Sequence, residues 1–450
     1  MGALVPHKTV VIGGGAAGIG AAGGVKAADP RNDVVVYTEF EDVGYSPCGI
    51  PYVHGKEIDS FERLFLAQKE AYVQAGIDVH YQTRVNSIDL KRQVIDVVGE
   101  GDVRWDRLVI ATGFDYADPG VPGGHLAGLY YVKNIRRAMV WDKVLDTTKS
   151  AVVVHATPLG LEMTTSLAHR GIETHLIDPQ PWALADMVDP DIIAPVQESW
   201  LEMGVNLHFN TTLKSFNGDR AVASVGTSDG VIPADLAVIC THKQPNIVLA
   251  AQAGLKVGPT GGLVVDERMA TSTPNVYAAG DCAELPHGLT RVGVSGLTGS
   301  HAYAQGKVAG FNAGDGTKRY QPVYVPWGTP AGKWVIGGAS FGETLATALG
   351  IPFVVGRAEG ISRARYYPGV KPVKIKLLAE PEQLRLIGAQ MVGQEGIKER
   401  ADFLATAVKF GLTLHDLAAM ENVYSPAIGA LNEPIAMAAQ DGVQNASRAG

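Results

Sequence analysis

The chain has 450 residues, 46% hydrophobic and 19% charged, with a formal net charge of −8 and a pI near 5.8. That composition suits a folded protein with chain enough for two or three cores, and its acidity argues against a general nucleic-acid or membrane-surface binder. Its three cysteines, at 48, 240 and 282, make neither a disulfide framework nor a metal-ligand spacing, and no run reaches the roughly 18–20 apolar residues that span a bilayer.

The first unit reads strand, turn, helix, strand. "KTVVIGGG" is a β-branched run entering a glycine turn, and Pro6, His7 and Lys8 cut the apolar N-terminal piece, which argues against a signal peptide. "AAGIGAAGGVKAAD" reads as a small-residue helix and "DVVVYTE" as a second strand closed by Glu39. Gly13, Gly15 and Gly18 give the GxGxxG spacing at the turn, and Glu39 follows 26 positions after Gly13. Glycines there let backbone N–H groups approach a diphosphate, and the acid accepts a ribose hydroxyl. A dinucleotide site is expected.

"VGYSPCGIPYV" comes next and holds Cys48 between Pro47 and Gly49. The following segment is expected to start a helix, whose N-terminal N–H groups would favour a thiolate. A second αβ alternation begins near Ala151, in "SAVVVHATPLGLEMTTSLAHRGIETHLID", as a low-identity repeat whose second strand ends in Asp178. Cys240 in "LAVICTH" and Cys282 in "GDCAEL" occupy strand and cap contexts, where cysteine serves as a small buried hydrophobe. From about Tyr320 the texture changes. "KPVKIKLLAEPEQLRLIGAQMVG" reads as a hairpin, and the helical stretch after it breaks at Gly411, which fits an α+β domain. The fold class expected is α/β, with two Rossmann-like dinucleotide-binding domains and a C-terminal α+β domain.

Three pieces converge: Ala111-Thr112-Gly113 after "DRLVI", Gly280-Asp281 after "NVYAA", and "YSPCGIPYV". Together they resemble the single-cysteine branch of the pyridine nucleotide-disulfide oxidoreductases. That branch holds coenzyme A-disulfide reductases, NADH-dependent per- and polysulfide reductases, NADH oxidases and NADH peroxidases. The resemblance runs from Val10 to about Pro434. It implies an FAD-binding domain in two parts, residues 1–114 and 246–318, an NAD(P)H-type domain over 115–245, and a dimerisation domain over 319–450. It further implies that Gly13, Gly15 and Gly18 hold FAD, with Glu39 on the adenosine ribose and Thr112 and Gly113 in the same site. Asp281 would bond the ribityl chain or diphosphate; a helix N-cap is its other reading.

By the same resemblance Cys48 is the redox sulfur beside the flavin, and the other half of the disulfide comes from a small molecule. Peroxidase and oxidase members carry a His in the first glycine loop. Ala16 stands there in this chain, which removes the obvious proton donor. Coenzyme A-type members have a basic residue late in the first helix and two C-terminal tyrosines, matched here by Lys26, by Tyr367 in "YYPG" and by Tyr424 in "NVYSP". A solvated lysine and interface or core aromatics are the plain alternatives. A tyrosine serving the partner subunit's cysteine makes the unit a homodimer.

The second loop departs from the pattern. "HATPLGLE" stands where the family reads like "GGGYIGLE": Gly160 and Glu162 match, whereas His155 and Thr157 replace the first two glycines. "THKQPN" likewise departs from "G-x-R-P-N". Two readings stand open. In one, NADH binds in a modified pose, with Glu162 near the nicotinamide and Asp178 on the ribose. In the other, the domain is structural, and a ferredoxin, a dithiol or the substrate supplies electrons. The resemblance implies FAD-dependent reduction of coenzyme A disulfide, persulfide or polysulfide through Cys48, with NADH as the donor the family uses. An NADH oxidase and a non-catalytic FAD-binding redox sensor are the alternatives. A cytoplasmic location is expected, with no metal, nucleic-acid or membrane partner.

Overall fold

A computed structural model describes residues 6–449, so the part of the N-terminal reading that rests on residues 1–5 lies outside it. One compact unit gathers the described residues up to Ile50 with Asp59–Ala117 and His242–Val323. At its centre is a parallel sheet in which β1 (Lys8–Ile12) lies between β2 (Asp33–Tyr37) and the strand Arg107–Ile110. Ile77–His80 adds beyond β2, and Val276–Ala278 adds beyond Arg107–Ile110. Val10, Val11, Val36 and Val109 are fully buried. Strands covered on both faces need apolar side chains in both directions, which is why these runs are unbroken rather than alternating.

The helix after β1, α1 (Ala16–Ala28), packs along Gly299–Ala313, and small residues are the reason it can. A Cβ at Gly306 or Gly310 would come within 2.1 or 1.9 Å of the carbonyl oxygens of Ala17 and Ala21. The two helices therefore meet backbone to backbone. β2 stops at Tyr37, so Glu39 lies two residues beyond the strand and is exposed, rather than closing it.

The other unit comprises Pro51–Ile58, Asp118–Thr241 and the chain from Tyr324 onward. It contains a second parallel sheet, ordered Asn206–His208, Glu173–Ile177, Ser150–Val154, Leu236–Ile239, Leu129–Tyr131. It also contains an antiparallel sheet ordered Pro326–Ala331, Trp334–Ser340, Leu386–Gly393, Pro372–Ala379, Val354–Ile361. The hairpin read from the sequence is the Pro372–Ala379 and Leu386–Gly393 pair, and the helix Ile397–Phe410 ends at Gly411 with φ +66, the left-handed cap that glycine adopts most readily.

A buried charge cluster holds this unit together. Lys376 is 4% exposed, and its ammonium meets Asp189 at 3.0 Å and Asp191 and Glu343 at 2.6 Å. Asp189 also accepts the backbone N–H groups of Glu343 and Thr344 at 3.0 and 2.9 Å. Among the described residues no helix is long and apolar enough to cross a membrane.

Candidate active site

The first glycine loop is shaped by what its glycines touch. Gly13 has φ +113, and a Cβ on it would lie 2.2 Å from the carbonyl oxygen of Ala111. A Cβ at Gly18 would lie 1.8 Å from the carbonyl oxygen of Gly13, so α1 can sit this close to its strand only with glycine there. Gly15 differs: a Cβ there meets nothing within 4 Å. It is also the N-cap of α1, with no side-chain cap bond. The loop thus presents an uncapped helix start to open space, the arrangement that receives an anionic diphosphate.

Thr112 and Gly113 lie at the end of the neighbouring strand. The Thr112 hydroxyl donates to the carbonyl of Asn246 at 2.5 Å, and the Asn246 N–H donates to Gly113 O at 2.9 Å. This lock ties "ATG" to the "PN" of "THKQPN".

Asp281 follows Gly280, whose φ is +83, but the chain continues into the strand Ala283–Pro286. The helix N-cap reading of Asp281 is therefore replaced by a turn between two strands. Its carboxylate accepts from the Lys243 ammonium at 3.0 Å. Lys243 also donates to Leu297 O at 3.0 Å and lies 4.5 Å from the Phe114 ring centroid. Sequence reasoning singled out "THKQPN" as unusual and missed that its lysine is the ion-pair partner of Asp281.

Cys48 is exposed and lies in a short 3-10 turn, Pro47–Gly49. A Cβ on Gly49 would meet the Leu64 side chain at 2.2 Å, and Ser46 N–H donates to Leu64 O at 2.9 Å, so the turn is seated on that residue. The helix expected after it covers only Ile50–His54. Five residues make little more than one turn, so the dipole support read from the sequence shrinks accordingly. Cys240 and Cys282 are fully buried, and burial pushes both thiols up, which leaves them inert at neutral pH. Lys26 is directed to backbone: its ammonium donates to Asn32 O at 2.7 Å and Pro30 O at 3.3 Å, bracing the turn after α1.

In the other unit the second glycine loop repeats the first position by position. Gly13 N–H bonds the carbonyl of Tyr37 at 2.8 Å, and His155 N–H bonds that of Ile177 at 2.9 Å. A Cβ at Gly160 would lie 2.1 Å from His155 O, as Gly18 does to Gly13. The differences fall elsewhere. His155 holds φ +73 without being glycine. The Thr157 hydroxyl donates to Cys240 O at 2.7 Å and accepts from Gly160 N–H at 3.3 Å, capping the helix Pro158–His169. Asp178 is turned inward, 6% exposed, where its carboxylate accepts Ala156 N–H at 2.6 Å and Gln180 N–H at 2.7 Å. Asp178 thus braces the turn of the loop with both carboxylate oxygens.

Glu162, near the start of the same helix, accepts from the Tyr52 hydroxyl at 3.1 Å and the Thr329 hydroxyl at 3.2 Å. Burial raises its pKa to about 7 against the pull of both bonds. The unfolded chain then gives up this proton first, so rising pH between about 4.5 and about 7 drains stability. Glu162→Gln is expected to match wild type near pH 4.5 and to be more stable at pH 8 by on the order of 2 kcal/mol. Urea unfolding at the two pH values checks this; equal stability at pH 8 would mean that the carboxyl ionises normally.

Of the two adjacent tyrosines, Tyr366 rather than Tyr367 faces Tyr424, with their hydroxyls 2.9 Å apart, and this bond pushes Tyr424 up. Tyr367 instead has the Arg363 guanidinium 5.9 Å from its ring centroid. Tyr366 and Tyr424 line a cavity of about 680 Å³ together with Trp334, Glu359, Arg365 and Lys374.

Residues 7–306 match the Pyridine nucleotide-disulphide oxidoreductase family, and residues 334–434 match its dimerisation domain. The chain belongs to the pyridine nucleotide-disulphide oxidoreductases. It is 33% identical to a protein named NADH oxidase from Methanocaldococcus jannaschii, over 98% of this chain and 99% of that one. It is 31% identical to a protein named NAD(P)H coenzyme A polysulfide/persulfide reductase from Pyrococcus horikoshii, again over 98% and 99%. Among solved structures, the NAD-dependent persulfide reductase from A. fulgidus superposes with a TM-score of 0.94 at 30% identity, covering 98% of this chain and 84% of that one.

Pyridine nucleotide-disulphide oxidoreductases use FAD and NAD(P)H. In this member the first loop fits FAD. Its uncapped helix start and the empty space beside Gly15 suit a diphosphate, and Asp281 closes the carboxyl end of the same sheet. FAD, when bound, supplies a two-electron redox centre. The second loop does not fit a dinucleotide in the same mode, because the space that stays open at Gly15 is filled by the Thr157 side chain.

Proposed function

We propose that this oxidoreductase reduces a small disulfide, persulfide or polysulfide through the single sulfur of Cys48, with coenzyme A-linked sulfur as the substrate class. The observation that carries this is an exposed cysteine at position 48, opposite two inert buried ones, in a chain matched end to end by named persulfide reductases. The Cys48 thiolate attacks one sulfur of the substrate, a new S–S bond forms, and the other half leaves as a thiolate that takes a proton. An electron pair from an external two-electron donor, a reduced nicotinamide as the family uses or a dithiol, which bound FAD would relay, and a second proton then break the mixed disulfide. This releases the second thiol, and the total is RSSR plus two electrons and two protons giving two RSH.

Tyr424, supported by Tyr366 across their shared hydrogen bond, is the proton donor to the leaving thiolate in this scheme. It serves the cysteine of the partner subunit, which makes a homodimer the active unit. Arg365 lines the adjoining cavity and is the residue assigned to a coenzyme A phosphate, since Lys374 in the same lining is paired with Asp191 at 3.7 Å. Lys26, spent on backbone carbonyls, is not assigned that role. Thr112 and Gly113 are assigned to the flavin site through their lock with Asn246, and Glu39 to the ribose, for which its exposure beyond β2 leaves it accessible. A cytoplasmic home suits a thiol that must be regenerated each turnover.

The competing reading is an oxidase, favoured by the name of the Methanocaldococcus relative. Ala16 in the first loop, where an imidazole would serve oxygen chemistry, weighs against it. Intact-protein mass spectrometry, with and without prior reduction, tests the proposal. A reducible thiol adduct mapped to Cys48 is expected after incubation with coenzyme A disulfide. Absence of any adduct on Cys48, together with oxygen consumption by the dithionite-reduced protein, would favour the oxidase.

A further inference from the structure

We infer that the second nucleotide-type domain no longer holds a dinucleotide's diphosphate, so that each subunit binds one dinucleotide, FAD, where the family binds two. The inference rests on the proposed reading of the first loop as the FAD site.

Two loops of the same chain provide an internal comparison. Their scaffolding is equivalent: the first residue of each donates its N–H to the last residue of the following strand, and the last glycine of each packs on the carbonyl of that first residue. What differs is the first and third positions, where His155 and Thr157 stand in place of glycine. At Gly15 an added Cβ meets nothing within 4 Å, whereas its counterpart Thr157 already has a side chain there. The Thr157 hydroxyl is anchored on Cys240 O at 2.7 Å and takes the Gly160 N–H. Pro158 follows at the first helical position and has no N–H to offer. The helix start therefore lacks one donor, at Pro158, and spends another, the Gly160 N–H, on its own cap, where α1 has no side-chain cap.

The acid has changed sides as well. Ile12 pairs with Tyr37 and Val154 with Ile177, so in register Asp178 corresponds to Thr38, and the residue equivalent to Glu39 is Pro179. Glu39 is exposed, while Asp178 is 6% exposed with each oxygen accepting a backbone N–H. Pro179 has no side-chain acceptor for a ribose. His155, at φ +73, holds a backbone conformation that glycine would adopt without strain. The turn is kept, while the positions read as meeting diphosphate and ribose are altered together.

The test uses the FAD-loaded protein, with flavin content measured first. Anaerobic titration of the oxidised flavin with NADH and NADPH, and calorimetry with ADP and NAD⁺, are expected to show no saturation below about millimolar concentration. A His155→Gly/Thr157→Gly double variant is expected to bind NADH at least tenfold more tightly while keeping its FAD. Saturation of the wild-type protein at micromolar NADH or ADP overturns the inference, and this holds even should the double variant fail to fold. A folded, yellow double variant with no gain in affinity also overturns it. Protein without FAD would instead overturn the reading of the first loop, and failure of dithionite-reduced protein to cleave coenzyme A disulfide would overturn the proposed function. The failures are thus separable.

Discussion

Cys48→Ser is expected to slow disulfide or persulfide cleavage by roughly 10³-fold or more, while the protein keeps its FAD and its fold. A serine hydroxyl is not ionised at neutral pH and cannot form the mixed disulfide on which the proposed scheme depends. The fold should not notice the change, because the side chain is exposed in a short turn whose seat is made by Gly49 and Leu64. Exposed substitutions of this kind shift stability by about 0.5 kcal/mol or less. Stopped-flow reoxidation of the dithionite-reduced flavin by coenzyme A disulfide is the measurement, because it bypasses the donor altogether. A variant that reoxidises at the wild-type rate would remove Cys48 from the chemistry.

Lys376→Met is expected to cost the unit that contains it about 3–5 kcal/mol. The ammonium is the counter-charge of Asp189, which is 1% exposed, and of Asp191 and Glu343, so its removal strands a carboxylate away from water. Burial works to raise the pKa of Asp189, but the N–H groups of Thr344 and Glu343 and the Lys376 charge outweigh it and hold the group below its ordinary value. The sign follows. The unfolded carboxyl takes its proton near 3.8, above the folded one, so this stabilisation is present at neutral pH and fades as pH falls through the folded value. Urea unfolding should therefore separate variant and wild type widely at pH 7 and less at pH 3. Equal midpoints at pH 7 would show that the cluster contributes nothing net.

The backbone of both nucleotide domains was legible because glycine spacing and unbroken valine runs are local signals with one structural solution each. What escaped was anything that turns on a single residue of register. Asp178 and Glu39 look alike in sequence, each an acid closing a strand, yet one position separates them, and successive residues of an extended chain face opposite ways. Tyr366 and Tyr367 posed the same problem in a turn, where nothing in "YYPG" says which ring meets Tyr424. Cys48 was found from its "SPCGIPY" setting, but the short helix behind it could not be measured from composition. The helix cap offered as the second reading of Asp281 gave way because Ala283–Pro286 pairs into a sheet. Lys243 was hidden because an ion pair across 38 positions leaves no mark on either segment.

The last glycine of each loop touches the same carbonyl whether or not the loop still has room for a guest. Its persistence records how near a helix must ride to its sheet, and carries no information about occupancy. Anyone scanning genomes for paired nucleotide folds by that residue would count this chain as having two sockets. The residue two places after the loop's start, bare in one copy and branched in the other, is the better census.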